Sequence, residues 1–251
     1  VKVKAPRCHV CWFSFSLDAA PLMQSITCAQ QTMPAGTAFW VFDQATSPLA
    51  PAVVRWCQDR GVDVRATHFD RRRNLNGAAS IVGQLDCLLS TAAGPDDVLW
   101  KVDCDTLILR PSVYLDQYQA RPGLQGAGCY CPMAQVGWWG ICYTLRQAAI
   151  PTLRQAFAQG CQVARLAEDI YLSRALIAAA PAGDTLTLST DHKGGAYMSY
   201  NARTSLTLAE YARRFDIITF GDRDKLAHLT PAQQRHHQAA NMATLLASFL
   251  P

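Results

Sequence analysis

The run Val98-Leu99-Trp100-Lys101-Val102-Asp103-Cys104-Asp105 carries an apolar, buried-type strand into two carboxylates at positions i and i+2. Side chains two apart on an extended chain share a face, so the spacing predicts that Asp103 and Asp105 point the same way at the end of a core strand. Hard carboxylate oxygens suit Mg²⁺ or Mn²⁺, and a divalent ion held there would engage a phosphorylated substrate. A second polar cluster is Asp70-Arg71-Arg72-Arg73-Asn74-Leu75-Asn76-Gly77. Guanidinium groups match diphosphate oxygens, and a helix opening at Gly77 would favour an anion at its N-terminus. Glu168-Asp169 is an acidic pair within a helical stretch. At 100° per residue, Asp169 flanks the Leu166/Ile170/Ile177 face while Glu168 points nearly opposite. Trp138-Trp139-Gly140 offers aromatic rings that either stack on a sugar or fill the core.

The elements that must position these groups follow from periodicity. His9–Phe13 reads as a strand, and Asp18–Met33 as a helix with Met23, Ile26, Gln30 and Met33 at steps of three and four. Ala38–Phe42 is a strand ending at Asp43, and Pro51–Arg60 a helix closed by Gly61. Val62–Ala66 is a strand with one wetter face, residues 67–76 form a polar loop, and residues 77–90 form a helix before the strand into Asp103. Strands alternating with helices predict a mostly parallel sheet covered on both faces. Ligands of such sheets bind outside the carboxyl ends of the strands. Ser14, Ser16, Asp43, the arginine run and the Asp103/Asp105 pair would all lie along that edge.

The second half is less regular. Gly123–Gly140 reads as short strands and a loop, Ile150–Ala158 as a helix, and Val163–Ile177 as another helix face. Thr207-Leu208-Ala209-Glu210 and Thr230-Pro231-Ala232-Gln233 are capping boxes opening two further helices. Asp216–Gly221, between them, reads as a strand and turn. Neither repeat nor linker divides the chain, so residues 1–251 are expected to form one unit.

Half of the 251 residues are hydrophobic and 17% are charged, which allows a large core and argues against disorder. The net charge of +4 suits an anionic ligand but is too small to indicate nucleic acid. No apolar run reaches the roughly 20 residues of a membrane helix. No apolar stretch of signal-peptide type follows Lys2 and Lys4, so a cytoplasmic setting is expected. Of the ten cysteines, Cys11, Cys28, Cys57, Cys87 and Cys142 sit among apolar neighbours, where reduced cysteine acts as a small hydrophobe. Cys8-His9-Val10-Cys11 is a lone CxxC. With Cys129 and Cys131 it offers zinc ligands as the alternative.

In this order of elements, with Asp103-Cys104-Asp105 after the fourth strand, the chain resembles the GT-A class of nucleotide-sugar glycosyltransferases. The resemblance implies an α/β, mostly parallel doubly wound sheet with a donor half over residues 1–105 and a fused acceptor half over 106–251. It implies a UDP-sugar or related donor, a sugar, lipid-linked or protein acceptor, and Mn²⁺ or Mg²⁺ as cofactor. Asp105 would be the main metal ligand, and Asp103 would touch the ribose or the metal through water. Ser14, Asp43, Arg72, Arg73 and Asn74 would contact the donor, and Trp138 and Trp139 the acceptor. Glu168-Asp169 resembles the acidic element of inverting members, which makes Asp169 the general base and Glu168 an acceptor contact. Without a base there, the transfer would retain configuration. The chain departs from the pattern at Ile218-Thr219-Phe220-Gly221, where several members carry a metal-ligating His in place of Thr219. His192, Asp222 and His228 are candidate substitutes, His192 foremost.

Two other activities are compatible with this layout. A nucleotidyltransferase making nucleotide-sugars would need a glycine-rich basic loop after its first strand, where Ser14-Phe15-Ser16-Leu17-Asp18 stands instead. A non-catalytic nucleotide-sugar binding protein would tolerate the loss of the His.

Overall fold

Cys8–Ser14 forms strand β1 and is buried along its whole length, as is β4, Val98–Val102. Strands covered on both faces need apolar residues at successive positions rather than in alternation, which is what the Val10-Cys11-Trp12-Phe13 and Val98-Leu99-Trp100 runs supply. The computed structural model describes residues 6–68, 78–130, 138–159, 168–188, 197–199, 206–220 and 228–250. The arginine run at 71–73 and His192 therefore lie outside the described residues.

With β2 (Ala38–Gln44), β3 (Val62–Thr67), β6 (Gly126–Tyr130), β7 (Trp138–Arg146) and β8 (Thr185–Leu188), these strands build a seven-stranded sheet of order β3-β2-β1-β4-β7-β6-β8. β1 runs parallel to β2 and β4, and β2 to β3. β7 is antiparallel to both its neighbours. The sheet is thus mixed α/β and mostly parallel, as expected.

Alternation along β1 divides the core into two layers. Val10 and Trp12 pack with Leu22 and Ile26 of α1 (Ala19–Thr32) and Cys57 of α2 (Pro51–Gln58). Cys11 and Phe13 pack with Ile81 and Leu85 of α3 (Ala78–Leu89) and Leu153 of α5 (Ile150–Ala158). Cys8 and Cys11 consequently belong to opposite layers, so this CxxC cannot close on one ion. Burial pushes the Cys8 thiol up to about 11, which keeps it protonated and inert. Cys129, pushed up to about 12, contacts the Tyr114 hydroxyl of α4 (Ser112–Ala120) at 3.3 Å. The reading of these residues as reduced core cysteines fits the eight described ones, all of them free.

A second sheet of order β5-β10-β9 joins Thr106–Ile108 (β5), Ile217–Thr219 (β10) and Tyr197–Ser199 (β9). Its core, Leu107, Tyr211, Phe215, Ile218, Met242 and Leu245, lies against α7 (Leu208–Arg214) and α8 (Pro231–Phe249). Both expected capping boxes form. Thr207 N–H donates to Glu210 at 2.7 Å, and Thr230 N–H to Gln233 at 2.9 Å. α6 (Glu168–Ala179) covers β7 beside α3 and α5. Among the described residues, no helix is long and apolar enough to cross a membrane.

His9 of β1 is fully buried. Trp40 donates its indole N–H to His9 Nδ1 at 3.2 Å, which leaves the ring proton on Nε2, 3.3 Å from Asp97. Burial lowers the imidazole pKa against the opposing pull of Asp97. Below the ordinary histidine value of about 6.5, the unfolded chain takes up a proton that the folded one refuses. The resulting stability is present above that pH and lost as pH falls through it. Thermal melts of wild type and His9→Gln between about pH 7.5 and pH 5.5 should therefore differ in slope, with the wild type losing more on acidification. Parallel slopes would remove His9 as the source.

Candidate active site at the carboxyl edge of the sheet

The strand order departs in opposite directions from β1, to β2 on one side and β4 on the other. The connections after β1 and β4 therefore diverge and open a crevice at their carboxyl ends, the usual ligand position in such sheets. Ser14 ends β1 opposite Asp43 of β2, and its hydroxyl donates to Asp43 Oδ1 at 3.1 Å. Asp43 Oδ2 accepts the Leu49 N–H at 2.9 Å. Burial raises the Asp43 pKa, partly opposed by these two donors. The loops beyond are cross-tied, Ser16 N–H to Ser47 O at 2.8 Å and Ser16 Oγ to Ser47 Oγ at 2.8 Å. Ser14 and Asp43 thus sit together at the expected edge and hold its first two loops.

The Asp103/Asp105 geometry differs from the expected one. β4 ends at Val102, and residues 103–105 form a turn closed by Thr106 N–H to Asp103 O at 3.1 Å, not an extended strand end. Asp103 Oδ1 accepts from Lys101 Nζ at 2.7 Å, and that lysine, in the central strand, is buried. Asp105 is buried and turned toward the C-terminal helix: Arg235 Nη1 of α8 donates to its Oδ2 at 3.0 Å. The same guanidinium reaches Asp18 Oδ1 through Nη2 at 3.0 Å. Asp18, fully buried in the turn between β1 and α1, also accepts the Phe15 N–H at 3.3 Å. Gln238, one helical turn beyond Arg235, accepts from Arg235 Nη1 at 3.0 Å and donates to Phe220 O at 2.9 Å. Thr219, which stands where the resemblance calls for His, brings its hydroxyl to 3.5 Å from Asp105 Oδ1. That position does face Asp105, with a hydroxyl instead of an imidazole.

Lys101, Asp18, Arg235 and Gln238 were not foreseen as site residues. A lysine in the middle of an apolar strand was the one visible signal among them. Arg235 sits in a helix whose partner carboxylates lie 130 and 217 positions earlier. His228 is exposed in the turn before α8. Arg72, Arg73, Asn74, His192 and Asp222 are outside the described residues, and of Trp139, Glu168 and Asp169 only the backbone is described. The last two open α6.

Trp138 is a correction. It is fully buried, its backbone N–H donates to Ser173 Oγ at 2.8 Å, and its indole N–H to Thr187 Oγ1 at 3.0 Å. The ring fills the space left by Gly126 and Gly128 on β6. A Cβ on Gly128 would lie 2.4 Å from Trp138 Cγ. Trp138 is thus a core packing residue, not part of an acceptor platform.

No protein-family model and no curated protein matches the sequence. Solved structures match the fold. A glycosyltransferase involved in glycosylation of the major capsid of PBCV-1 aligns over 94% of this chain and 100% of its own, at TM-score 0.54 and 9% identity. The galactosyltransferase LgtC, solved with donor and acceptor sugar analogs, aligns over 92% and 95%, at TM-score 0.54 and 12% identity. The mannosyltransferase PcManGT from Pyrobaculum calidifontis, solved with GDP-Man and Mn²⁺, aligns over 98% and 77%, at TM-score 0.51 and 14% identity. The chain has the GT-A fold.

A divalent ion at Asp103 and Asp105 needs several oxygen or nitrogen donors converging on one point. Among the described residues no three His, Cys, Asp or Glu side chains do so. Both acids are engaged by cations of the chain itself. The described residues as arranged do not fit the ion.

Trp138→Ala should destabilise the protein by about 3–5 kcal/mol, and Gly128→Val by about 1–3 kcal/mol or more through overpacking. Trp138→Phe should fold and keep any ligand response of the wild type. Chemical denaturation of the three variants checks this, and a Trp138→Ala protein of wild-type stability would return the ring to the ligand side.

Proposed function

We propose that the protein is a glycosyltransferase, moving a sugar from a nucleoside diphosphate sugar, UDP-linked by resemblance, to an acceptor hydroxyl. The observation that carries this reading is the convergence of Ser14, Asp43, Asp103 and Asp105 at the carboxyl edge of a GT-A sheet, beside the crevice between β1 and β4. The similarity in fold to enzymes solved with GDP-Man or with sugar analogs supports it. Residues 1–105 form the donor half and 106–251 the acceptor half of one domain. Arg72, Arg73 and Asn74, in the connection from β3 to α3, meet the donor's diphosphate or nucleoside, and guanidinium groups suit its charge.

Asp169, in the first turn of α6, takes the proton of the acceptor hydroxyl as its oxygen attacks the anomeric carbon. The bond to the diphosphate breaks, the nucleoside diphosphate leaves with the electron pair, and configuration inverts. Glu168 contacts the acceptor. Mn²⁺ in PcManGT makes a divalent ion the comparison case for this chain. The nucleotidyltransferase alternative is disfavoured by the segment after β1, which carries buried Asp18 where that chemistry needs a basic, glycine-rich loop.

Thermal shift with UDP, GDP, CDP and dTDP should give stabilisation by one nucleoside diphosphate, on the order of the 2.7 kcal/mol expected at a hundredfold excess over Kd. Incubation with the matching nucleotide-sugar should release nucleoside diphosphate slowly, whereas pyrophosphate from a nucleoside triphosphate would mark the alternative. No response to any of the four would sink the donor assignment. Asp169→Asn should keep the nucleotide shift and lower turnover by roughly 10²–10⁴-fold, the usual contribution of a general base. A normal turnover number in that variant would remove the base assignment.

A further inference from the structure

We propose that Arg235 is the resident cation of the donor site, occupying at Asp105 the place a divalent ion would take, so that nucleoside diphosphate binding needs no divalent metal. This rests on the glycosyltransferase reading and specifies how its donor site is charged.

Arg235 Nη1 lies 3.0 Å from Asp105 Oδ2, and Nη2 lies 3.0 Å from Asp18 Oδ1. One planar guanidinium therefore spans two carboxylates that come from the connection after β1 and the turn after β4, at the crevice between these strands. The oxygen of Asp105 that Arg235 holds is also reached by Gln238 Nε2 at 3.4 Å, and its other oxygen by Thr219 at 3.5 Å. A metal ion at Asp105 would have to displace Arg235 from that oxygen. Asp18, with no exposed surface, would still retain the guanidinium nearby, so two cations would crowd one carboxylate. Asp103 is committed in the same way to Lys101 at 2.7 Å.

The guanidinium is not sealed in, since about a fifth of the Arg235 side chain is open to solvent (21%). Its fork geometry suits phosphate oxygens as well as carboxylates. A guanidinium is also weakly hydrated, unlike Mg²⁺, which gives up water reluctantly. The Thr219 hydroxyl fits the same arrangement. With a guanidinium already at Asp105, an imidazole ligand has no ion to hold.

The test is calorimetry and thermal shift on the whole chain with Mn²⁺ alone and with the responding nucleoside diphosphate, in EDTA and in Mn²⁺. Expected are no Mn²⁺ binding by the wild type and nucleotide affinities within roughly twofold of each other in the two buffers. Arg235→Met should weaken nucleotide binding by roughly tenfold or more and should newly bind Mn²⁺ at Asp105 and Asp18, where the guanidinium charge is removed. Arg235→Lys, which keeps the charge but loses the fork, should fall between and stay indifferent to Mn²⁺. Nucleotide binding by the wild type that requires Mn²⁺, or Mn²⁺ binding by the wild type that Asp105→Asn abolishes, would overturn the inference and leave the transferase reading standing. Absence of any nucleotide response in either buffer would overturn both. The wild-type arms decide the matter even if Arg235→Met does not fold.

Discussion

One guanidinium shared by two buried carboxylates sets the arrangement of the whole carboxyl edge. Asp18 has no exposed surface and Asp105 little, and a carboxylate buried without a partner is costly. That partner comes from α8, near the end of the chain, so the last helix must dock on the turn after β1 and the turn after β4 together. Breaking such a partly buried set typically costs about 3–5 kcal/mol, mostly as the penalty of leaving a charge behind. The small β5-β10-β9 sheet is the platform that delivers α8 to this place: β5 begins at Thr106, directly after Asp105, and β10 ends at Thr219, whose hydroxyl faces Asp105. The edge is closed a second time by Phe220 N–H to Asp105 O at 2.9 Å.

The seven-stranded sheet supplies the rigidity that this edge needs. Its central strands are buried on both faces, and the alternation Val10/Cys11/Trp12/Phe13 feeds one residue to each helical layer in turn. Several polar groups in and beside it are paired. Ser25 accepts from Trp12 Nε1 at 2.9 Å and donates to Thr106 O at 2.5 Å, which ties α1 to both sheets. Cys28 and Thr32, further along the same helix, donate to Ile108 O at 3.2 Å and 2.7 Å. The two sheets are thus joined through one face of α1, and the crevice lies at the N-terminal end of that helix.

How far the sequence could be read follows from where each signal resides. The first 105 residues carry local signals, apolar runs separated by helix-period segments and stopped by Gly61 or Pro34-Ala35-Gly36, and the elements formed close to the expected bounds. The capping boxes at Thr207 and Thr230 were likewise legible because their partners are three residues away. Of the second sheet only β10 was legible, as the strand and turn at Asp216–Gly221, and strands of three residues such as Thr106–Ile108 are too short to establish a period. Trp138 misled for a related reason: a Trp-Gly-rich stretch looks the same whether the ring meets a sugar or the glycines of the neighbouring strand. At the site, the acids were visible as a pair at short spacing, but the bases that hold them come from a buried strand lysine and a distant helix.

The Asp-x-Asp spacing therefore constrains less than it seems to. Two carboxylates at i and i+2 specify negative charge at a strand end, and what compensates that charge depends on the rest of the chain. Here a lysine two residues earlier answers Asp103 and an arginine from α8 answers Asp105, each near 3 Å. A mobile divalent ion and a tethered guanidinium meet the same electrostatic need with different consequences. An ion would have to be taken up from solution, whereas the guanidinium is anchored by Asp18 and Gln238 and is present without any ligand. A site charged by its own side chains also fixes the orientation of α8 in the absence of any ligand, because the helix contributes the charge. Thr219 and Arg235 thus meet the same carboxylate from two sides, the hydroxyl at Oδ1 and the guanidinium at Oδ2.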